Sequence, residues 1–188
     1  TYNTIGIGYQ QLMTTNLKTT HYNDGSAITH VTNDSIWEVT TTGGYCWYAN
    51  DHDVYASTYG ALYNWYTVNT GKLCPQGWHV PTEADFQELI EYVSDASTAG
   101  GKLKETGTIH WQSPNAGATD EFDFTGLPSG RRIENADFDF LHVEGNFWSS
   151  TNYSTLTAAY FYLVYNYGNA FTAHINKNNG LSVRCVKD

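Results

Sequence analysis

The feature that most constrains this sequence is the density of aromatic side chains near its end, between Trp148 and Asp188. Within it, Ala159–Tyr165 has the aromatic and β-branched content of a strand. Because side chains alternate along a strand, Phe161 and Leu163 share one face. The other face carries Tyr160, Tyr162 and Val164. A sheet that buries one face has little use for bulky rings on both, so the second face needs a separate explanation.

Turn signals divide the rest of this region. Gly168-Asn169 and Asn178-Asn179-Gly180 predict turns, because Gly and Asn adopt positive φ at little cost. Ala170–Asn176 and Leu181–Val186 are then predicted as the next strands of a meander. The side chains expected on the outer face, with those of the first strand, are Tyr160, Tyr162, Tyr165, Tyr167, Phe171, His174 and Asn176.

Contact with a partner would explain these rings. Tyr and Phe give a large contact area with few rotatable bonds, while Asn, Ser and Thr give adaptable hydrogen bonding, as in antibody paratopes. The alternative is an ordinary core in which the rings pack under loops, which is the more common location for any single tyrosine. The density of rings favours a binding face.

Length and charge bound the class of protein. The 188 residues fit one domain, 1–188, and charged residues make up 15% against a typical value of about 25%. This composition is typical of a loop-rich, β-containing extracellular protein. The net charge of −10 argues against nucleic acid, because phosphate binding needs clustered Lys and Arg and only 9 are present. No run approaches the roughly 20 apolar residues of a membrane span.

Three cysteines allow one disulfide and one free thiol, or three buried thiols. We expect a Cys74–Cys185 bridge that ties the loop before the main helix to the last strand, with simple burial as the alternative. No Cys-x-x-Cys occurs, which argues against a zinc or thioredoxin-like site.

One helix is clearly predicted. Thr82 is a good N-cap after Pro81, with Asp85 three residues later. Its apolar stripe consists of Phe86, Leu89, Ile90 and Val93. Gly100-Gly101 then interrupts the chain before a short second helix, Lys102–Glu105. With strands on either side of these two helices, the expected class is α+β.

Short strands are predicted over residues 1–40. Ile5 and Ile7 begin one and Leu12–Leu17 continues it. Asn23-Asp24-Gly25 predicts a hairpin turn between Leu17–Tyr22 and Ser26–Val31. For Ala61–Tyr66, the pattern does not distinguish a short helix from a strand.

Candidate metal ligands are few. Asp51, His52 and Asp53 suit a metal, but a solvated polar loop is far more common. The runs 120–123 and 137–139 alternate carboxylates in a way that suits structural calcium, with a solvent-facing strand edge as the alternative. No other cofactor is expected.

Motifs for catalysis are not found. The sequence has no nucleophile elbow, phosphate loop, Rossmann glycine pattern or His-Glu-x-x-His. Nothing singles out a glycosidase pair among the carboxylates Asp120, Asp123, Asp137 and Glu144. We therefore expect a binding module and not an enzyme.

Several ordered blocks resemble the Fibrobacter succinogenes major paralogous domain. The blocks are Asn16–Lys18, Tyr59–Tyr66, Leu73–Thr82, Gly101–Lys104, Phe147–Thr151 and Gly180–Val186. The resemblance covers nearly the whole chain. It implies a secreted or surface-anchored protein of Bacteroidetes-type bacteria or their phages, with a loop-rich fold similar to C-type lectins and the formylglycine-generating enzyme, built from two helices and short antiparallel sheets.

A narrower resemblance concerns residues 148–188. The Trp-Ser-Ser-Thr block, the Asn- and Tyr-rich stretch and the final Ser-Val-Arg-Cys are similar to the variable region of proteins diversified by a diversity-generating retroelement. The resemblance implies a lectin-like scaffold that displays diversified side chains on a ligand-binding face. Those side chains would be Tyr153, Leu156, Tyr162, Val164, Tyr165, Tyr167, Phe171, Ala173, His174 and Leu181.

The sequence lacks the motifs for calcium-dependent sugar binding by C-type lectins and for the oxidase activity of the formylglycine-generating enzyme. Trp148 is followed by Ser149-Ser150 and not by a calcium-and-sugar motif, and Cys185 has no catalytic cysteine beside it. We therefore expect an adhesin-type module at the cell surface, outside the cell or on a phage virion, that binds a protein or glycan on another surface. Attachment to a pilus, a lipoprotein or a virion is compatible with this. The alternatives are a carbohydrate-binding or glycan-active protein and a pilus or surface-assembly subunit.

Overall fold

The computed structural model describes residues 2–188, which form an α+β arrangement of five α-helices and three sheets. The helices are α1 Asp34–Val39, α2 His52–Tyr59, α3 Trp65–Val68, α4 Glu83–Val93 and α5 Ala99–Leu103, with a 3-10 turn at Tyr48–Asn50. The predicted class is confirmed. The expected number of two helices is wrong, because α1, α2 and α3 are too short to show an amphipathic period. Side-chain caps start them instead, at Asn33, Asp51 and Asn64.

Twelve strands make up the sheets. They are β1 Thr4–Ile7, β2 Gln10–Met13, β3 Thr29–His30, β4 Gly44–Cys46, β5 Leu62–Tyr63, β6 Trp78–His79, β7 Ser129–Arg132, β8 Phe138–Leu141, β9 Glu144–Asn152, β10 Thr157–Val164, β11 Ala170–Asn176 and β12 Val186–Lys187. The sheet orders are β1-β2-β12-β6, β11-β10-β9-β7-β8 and β3-β4-β5. The second of these sheets contains the aromatic strands β10 and β11, close to their predicted bounds.

Helix α4 covers one face of the five-stranded sheet. Thr82 and Asp85 form a reciprocal capping box, as their spacing predicts. The predicted apolar stripe of α4 is fully buried. Phe86 stacks on Phe161 of β10, with ring centroids 4.8 Å apart and planes 9° apart. The Phe161 side of β10 is therefore the core side, as its sequence indicates.

The second of the two predicted helices is α5, which begins at Ala99, earlier than predicted, and contains Gly100 and Gly101. A Cβ on Gly100 would lie 1.8 Å from the carbonyl oxygen of Asn169, and one on Gly101 would lie 2.3 Å from that of Gly117. These glycines therefore serve close packing of α5 against two loops, and they do not interrupt the helix.

The predicted N-terminal hairpin forms only its turn. The Tyr22 amide donates to the Ser26 carbonyl over 2.8 Å, but pairing stops at a single bridge between His21 and Ala27. Asn23 donates instead to Lys72 and Cys74 carbonyls, and β3 pairs in parallel with β4. The open question at 61–66 is resolved as strand β5 followed by helix α3.

The segment 180–187, which we call the closing segment, is not the third strand of a meander. It forms hydrogen-bonded bridges to all three sheets. Its partners are Arg132 in β7, Tyr63 in β5 and Phe147 in β9, followed by pairing of β12 with β2 and β6. The meander prediction fails because residues 180–186 are buried on both sides, so their side chains show no inside–outside alternation.

Four of the nine basic side chains are buried: Lys104, Arg132, Lys177 and Arg184. Each donates to backbone carbonyls of loops. In the closing segment, Arg184 donates to Asn16 Oδ1 and the Thr125 carbonyl over 2.8 Å each, and also to the Phe124 carbonyl. Buried carbonyls without a donor are costly, so these cations stabilise chain that forms no regular ladder.

The structure contains the Cys74–Cys185 disulfide, with Cα atoms 6.0 Å apart, while Cys46 is a buried free thiol. The bridge joins the closing segment to the loop before α4. Its two cysteines are 111 residues apart in sequence.

We predict that the double variant Cys74→Ala and Cys185→Ala loses about 4 kcal/mol of unfolding free energy, because opening a long loop restores entropy to the unfolded chain. Urea denaturation followed by tryptophan fluorescence measures this loss. Dithiothreitol should destabilise the wild type by a similar amount and leave the variant unchanged. Equal stability of oxidised wild type and variant would contradict the anchoring role.

Candidate ligand-binding face

The register of the five-stranded sheet brings the predicted rings together on one side. Tyr160 pairs with Ala173 and Tyr162 with Phe171 across β10 and β11. Directly paired residues project from the same face, so these four share a face with Val164. We call this surface, made of Tyr160, Tyr162, Val164, Phe171 and Ala173, the ring face. It lies opposite the α4 side.

The rings of this face stack on one another. Tyr162 lies 5.1 Å from Tyr160 and 4.9 Å from Phe171, each at 17° between planes. Tyr167, from the β10–β11 turn, stands at 89° to Phe171 with centroids 6.0 Å apart. Ring stacking of this kind contributes to stability beyond area burial, so the rings hold each other in place.

Exposure rises along the ring face. Tyr160 is only 8% exposed and packs in the core beside Trp148, and burial raises its pKa to about 12. Its assignment as a ligand-contacting residue is therefore corrected: it supports Tyr162 from below. Tyr162 and Phe171 are half-buried, and Tyr167 is 52% exposed. The open end of the face is the end near Val164.

At that end lies a depression of about 470 Å³, which we call the cage. Its lining residues are Glu144, Tyr162, Val164, Tyr167, Asn169 and Phe171. Depressions of about 430 and 450 Å³ lie beside Tyr22 and beside Trp47. Volume alone therefore does not distinguish the cage from the other two depressions. Its three rings and one carboxylate distinguish it, because binding pockets combine apolar walls with a small number of placed polar groups.

The polar wall of the cage comes from β9. Glu144 pairs with Val164, and its Oε2 lies 3.7 Å from a guanidinium nitrogen of Arg131. Burial raises the pKa of Glu144, against the lowering effects of Arg131 and the fully buried Asn146. Asn146 Oδ1 and Arg131 Nε are buried without a hydrogen-bond partner among residues 2–188. This wall therefore contains buried polar atoms whose hydrogen bonds are not made among residues 2–188.

Three predicted residues lie on the opposite side of the sheet. His174 pairs with Ala159, and Asn176 with Thr157, which places both on the α4 side, and His174 Nε2 lies 3.7 Å from a carboxylate oxygen of Glu83 in α4. Tyr153 stacks on His174 with centroids 3.7 Å apart and planes 13° apart. We call Tyr153 and His174, together with Leu156, which is exposed in the same β9–β10 turn as Tyr153, the Tyr153 patch. The expected single binding face is thus wrong: the structure divides it into two surfaces.

Two further assignments are corrected. Leu181 is completely buried, because the closing segment passes through the core. Tyr165 packs against the core on the α4 side, since it continues the alternation of Phe161 and Leu163. Asn176 accepts hydrogen bonds from Asn178 and Asn179, so its polar groups serve the turn.

The sequence reading missed Asn169, Arg131 and Asn146, and treated Glu144 only as a possible catalytic carboxylate. Alternation in Glu144–Asn152 would have put Glu144, Asn146 and Trp148 on one side. Without the antiparallel register to β10, nothing in the sequence connects that side to the rings.

Lys104 anchors the turn that carries Tyr167. Its ammonium group donates to the carbonyls of Ala116 and Val164 over 2.9 Å and of Tyr167 over 2.8 Å. Burial lowers the pKa of Lys104 to about 8. Both ends of the 164–167 turn are therefore tied to one buried side chain.

Two of the candidate metal ligands make other contacts. Both oxygens of Asp120 accept hydrogen bonds from Thr125, at 2.6 and 2.8 Å, and Asp51 caps helix α2. Between residues 2 and 188, no group of three or more His, Cys, Asp or Glu side chains is arranged to hold a metal ion. The same residues include no helix with the length and hydropathy of a membrane span.

These features define an α+β protein whose main sheet displays stacked rings around an open depression. A family model described as the Fibrobacter succinogenes major domain matches residues 5–187. The chain belongs to this family. Neither the curated proteins nor the solved structures include a match to this chain.

We predict that Lys104→Met lowers the unfolding free energy by about 2 kcal/mol, because three carbonyls lose a charged donor. The matched control is Lys102→Met, two residues away, which removes a surface pair with Glu121 and should cost about 0.5 kcal/mol or less. Guanidinium denaturation gives both values. Equal effects of the two substitutions would show that Lys104 does not hold the turn.

Proposed function

We propose that this protein is an extracellular ligand-binding module of the adhesin type, whose ligand contacts the ring face at the cage. The supporting observation is the stacked column of Tyr162 and Phe171, which ends in exposed Tyr167 beside a depression of about 470 Å³. Mutual stacking fixes the rings before binding, so little side-chain entropy is lost on contact. The proposal assigns no catalysis.

The ring geometry favours a protein ligand over a glycan. A sugar ring stacks on an open, flat aromatic face, but the ring of Tyr162 is already stacked with the rings of Tyr160 and Phe171. What Tyr162 offers a ligand is its ring edge and its hydroxyl. Edges, hydroxyls and the neighbouring Asn169 amide are the contacts that paratopes make with proteins.

Resemblance to C-type-lectin-like scaffolds and to retroelement-diversified variable proteins is part of this proposal. Most of the candidate diversified residues lie at the surface, on the ring face, the β10–β11 turn or the Tyr153 patch, and Leu181 and Tyr165 are exceptions. The Cys74–Cys185 disulfide suits an oxidising compartment. Both features support a location outside the cell, at the cell surface or on a phage virion.

We predict that peptides selected on this protein from a displayed random library lose at least about tenfold in affinity for Tyr167→Ala and for Phe171→Ala. The matched control is Tyr9→Ala, which removes a ring that is 97% exposed in the turn between β1 and β2. Biolayer interferometry measures the affinities, and thermal unfolding checks that each variant remains folded.

A glycan array probed in parallel separates the two ligand classes. Ligands that tolerate both ring-face substitutions would contradict the proposal. Glycan binding that depends on Tyr167, with no peptide selected, would replace the protein ligand by a carbohydrate.

A second candidate function, an assembly subunit, is favoured by the outer edge of β11. This strand is last in its sheet and carries neither Lys nor Pro, the residues that usually protect edges. The Ala170 amide donates away from the sheet, to Ala96. By the two-residue alternation, the amides of Thr172 and His174 also point outward.

If this edge pairs with a second copy, sedimentation velocity should show concentration-dependent dimers. Thr172→Pro should abolish them, because it removes an outward amide, and Thr172→Val should retain them. A monomer at every concentration would rule out this second function and leave the ring-face proposal unaffected.

A further inference from the structure

The cage is built in a way that suits a cation. Tyr167 and Phe171 stand at 89° to each other, so they form a corner in which a bound group meets a ring face. The negative face of an aromatic ring attracts ammonium groups, and perpendicular rings are used to enclose them. Val164 lies between this corner and Glu144, which supplies a carboxylate on the opposite wall.

Glu144 is the charged residue that lines the cage. Arg131 lies beside it, and the Arg131 guanidinium stacks on Phe140, 4.5 Å from the ring centroid. Asp139 stands opposite Arg131 in the register of β7 and β8 and adds a second carboxylate near Glu144. The other titratable groups near Glu144 are the Tyr160 and Tyr162 phenols, which carry no charge at neutral pH.

The chain as a whole is acidic, with a net charge of −10. Lys104 lies next to the cage, where its buried ammonium group donates to the carbonyls of Val164 and Tyr167, while the other buried cations bind other loops. A positively charged partner is therefore attracted to the molecule as a whole.

We propose that the cage receives the side chain of a lysine presented by a protein partner. The ammonium group lies between Tyr167, Phe171 and Glu144, and the methylene stem contacts Val164 and Tyr162. The volume of about 470 Å³ accommodates the stem as well as the charge. This inference rests on the proposed function, since it names the group that the ring face recognises.

The test uses the whole chain and isolated probes. Nα-acetyl-lysine methylamide is titrated against labelled protein, with the Val164 methyl resonances as the readout, and Nα-acetyl-norleucine methylamide is the uncharged comparison. We expect saturable shifts with the lysine probe, and shifts at least about tenfold weaker in affinity with norleucine. Tetramethylammonium chloride should compete with the lysine probe.

Glu144→Gln should weaken lysine-probe binding by about tenfold, because it removes the carboxylate and keeps the shape. Glu91→Gln is the matched control, since Glu91 is exposed on α4, on the other side of the sheet. Equal binding of the two probes, no shift with either, or unchanged affinity of Glu144→Gln would overturn the inference.

The experiments distinguish failure of the lysine site from failure of the proposed function. If the library-selected peptides need Tyr167 and Phe171 but tolerate replacement of every lysine by norleucine, the lysine site is wrong and the ring face stands. If the lysine probe binds and selected ligands ignore both rings, the cage is a cation site outside the main ligand contact, and the proposed function fails.

Discussion

The fold depends on satisfying backbone carbonyls in a chain that has little regular structure. The closing segment makes the central contribution, because its few residues are hydrogen-bonded to all three sheets. From within this segment, the buried Arg184 side chain donates to the carbonyls of Phe124 and Thr125, which lie in a loop. Burying a cation is costly by itself, and several charge-assisted hydrogen bonds offset that cost.

The same arrangement shapes the ring face. Lys104 and Lys177 hold the two turns that flank β10 and β11, at Tyr167 and at Ser154. Rigid ends and mutually stacked rings present a fixed surface, which is what a binding face requires. Four of the nine basic side chains lie inside, which adds to the acidic excess of the outer surface. The proposed lysine ligand suits such a surface.

The sequence predicted those parts whose signal is local or alternating: helix α4 with its cap, strands β10 and β11, and the core side of β10. It failed where long-range pairing decides. Leu181–Val186 has strand composition, but burial on both sides takes it through the core. The cage depends on the pairing of Glu144 with Val164 and on a turn held by Lys104. Neither contact leaves a pattern that one sequence can show.

The most direct measurement is hydrogen–deuterium exchange of the protein with and without a library-selected peptide. We expect new protection confined to the segment from Tyr162 to Ala173 and to β9 near Glu144, with the closing segment unchanged because it is already buried and hydrogen-bonded. Protection centred on the depressions beside Tyr22 or Trp47, with the segment from Tyr162 to Ala173 exchanging as before, would contradict it.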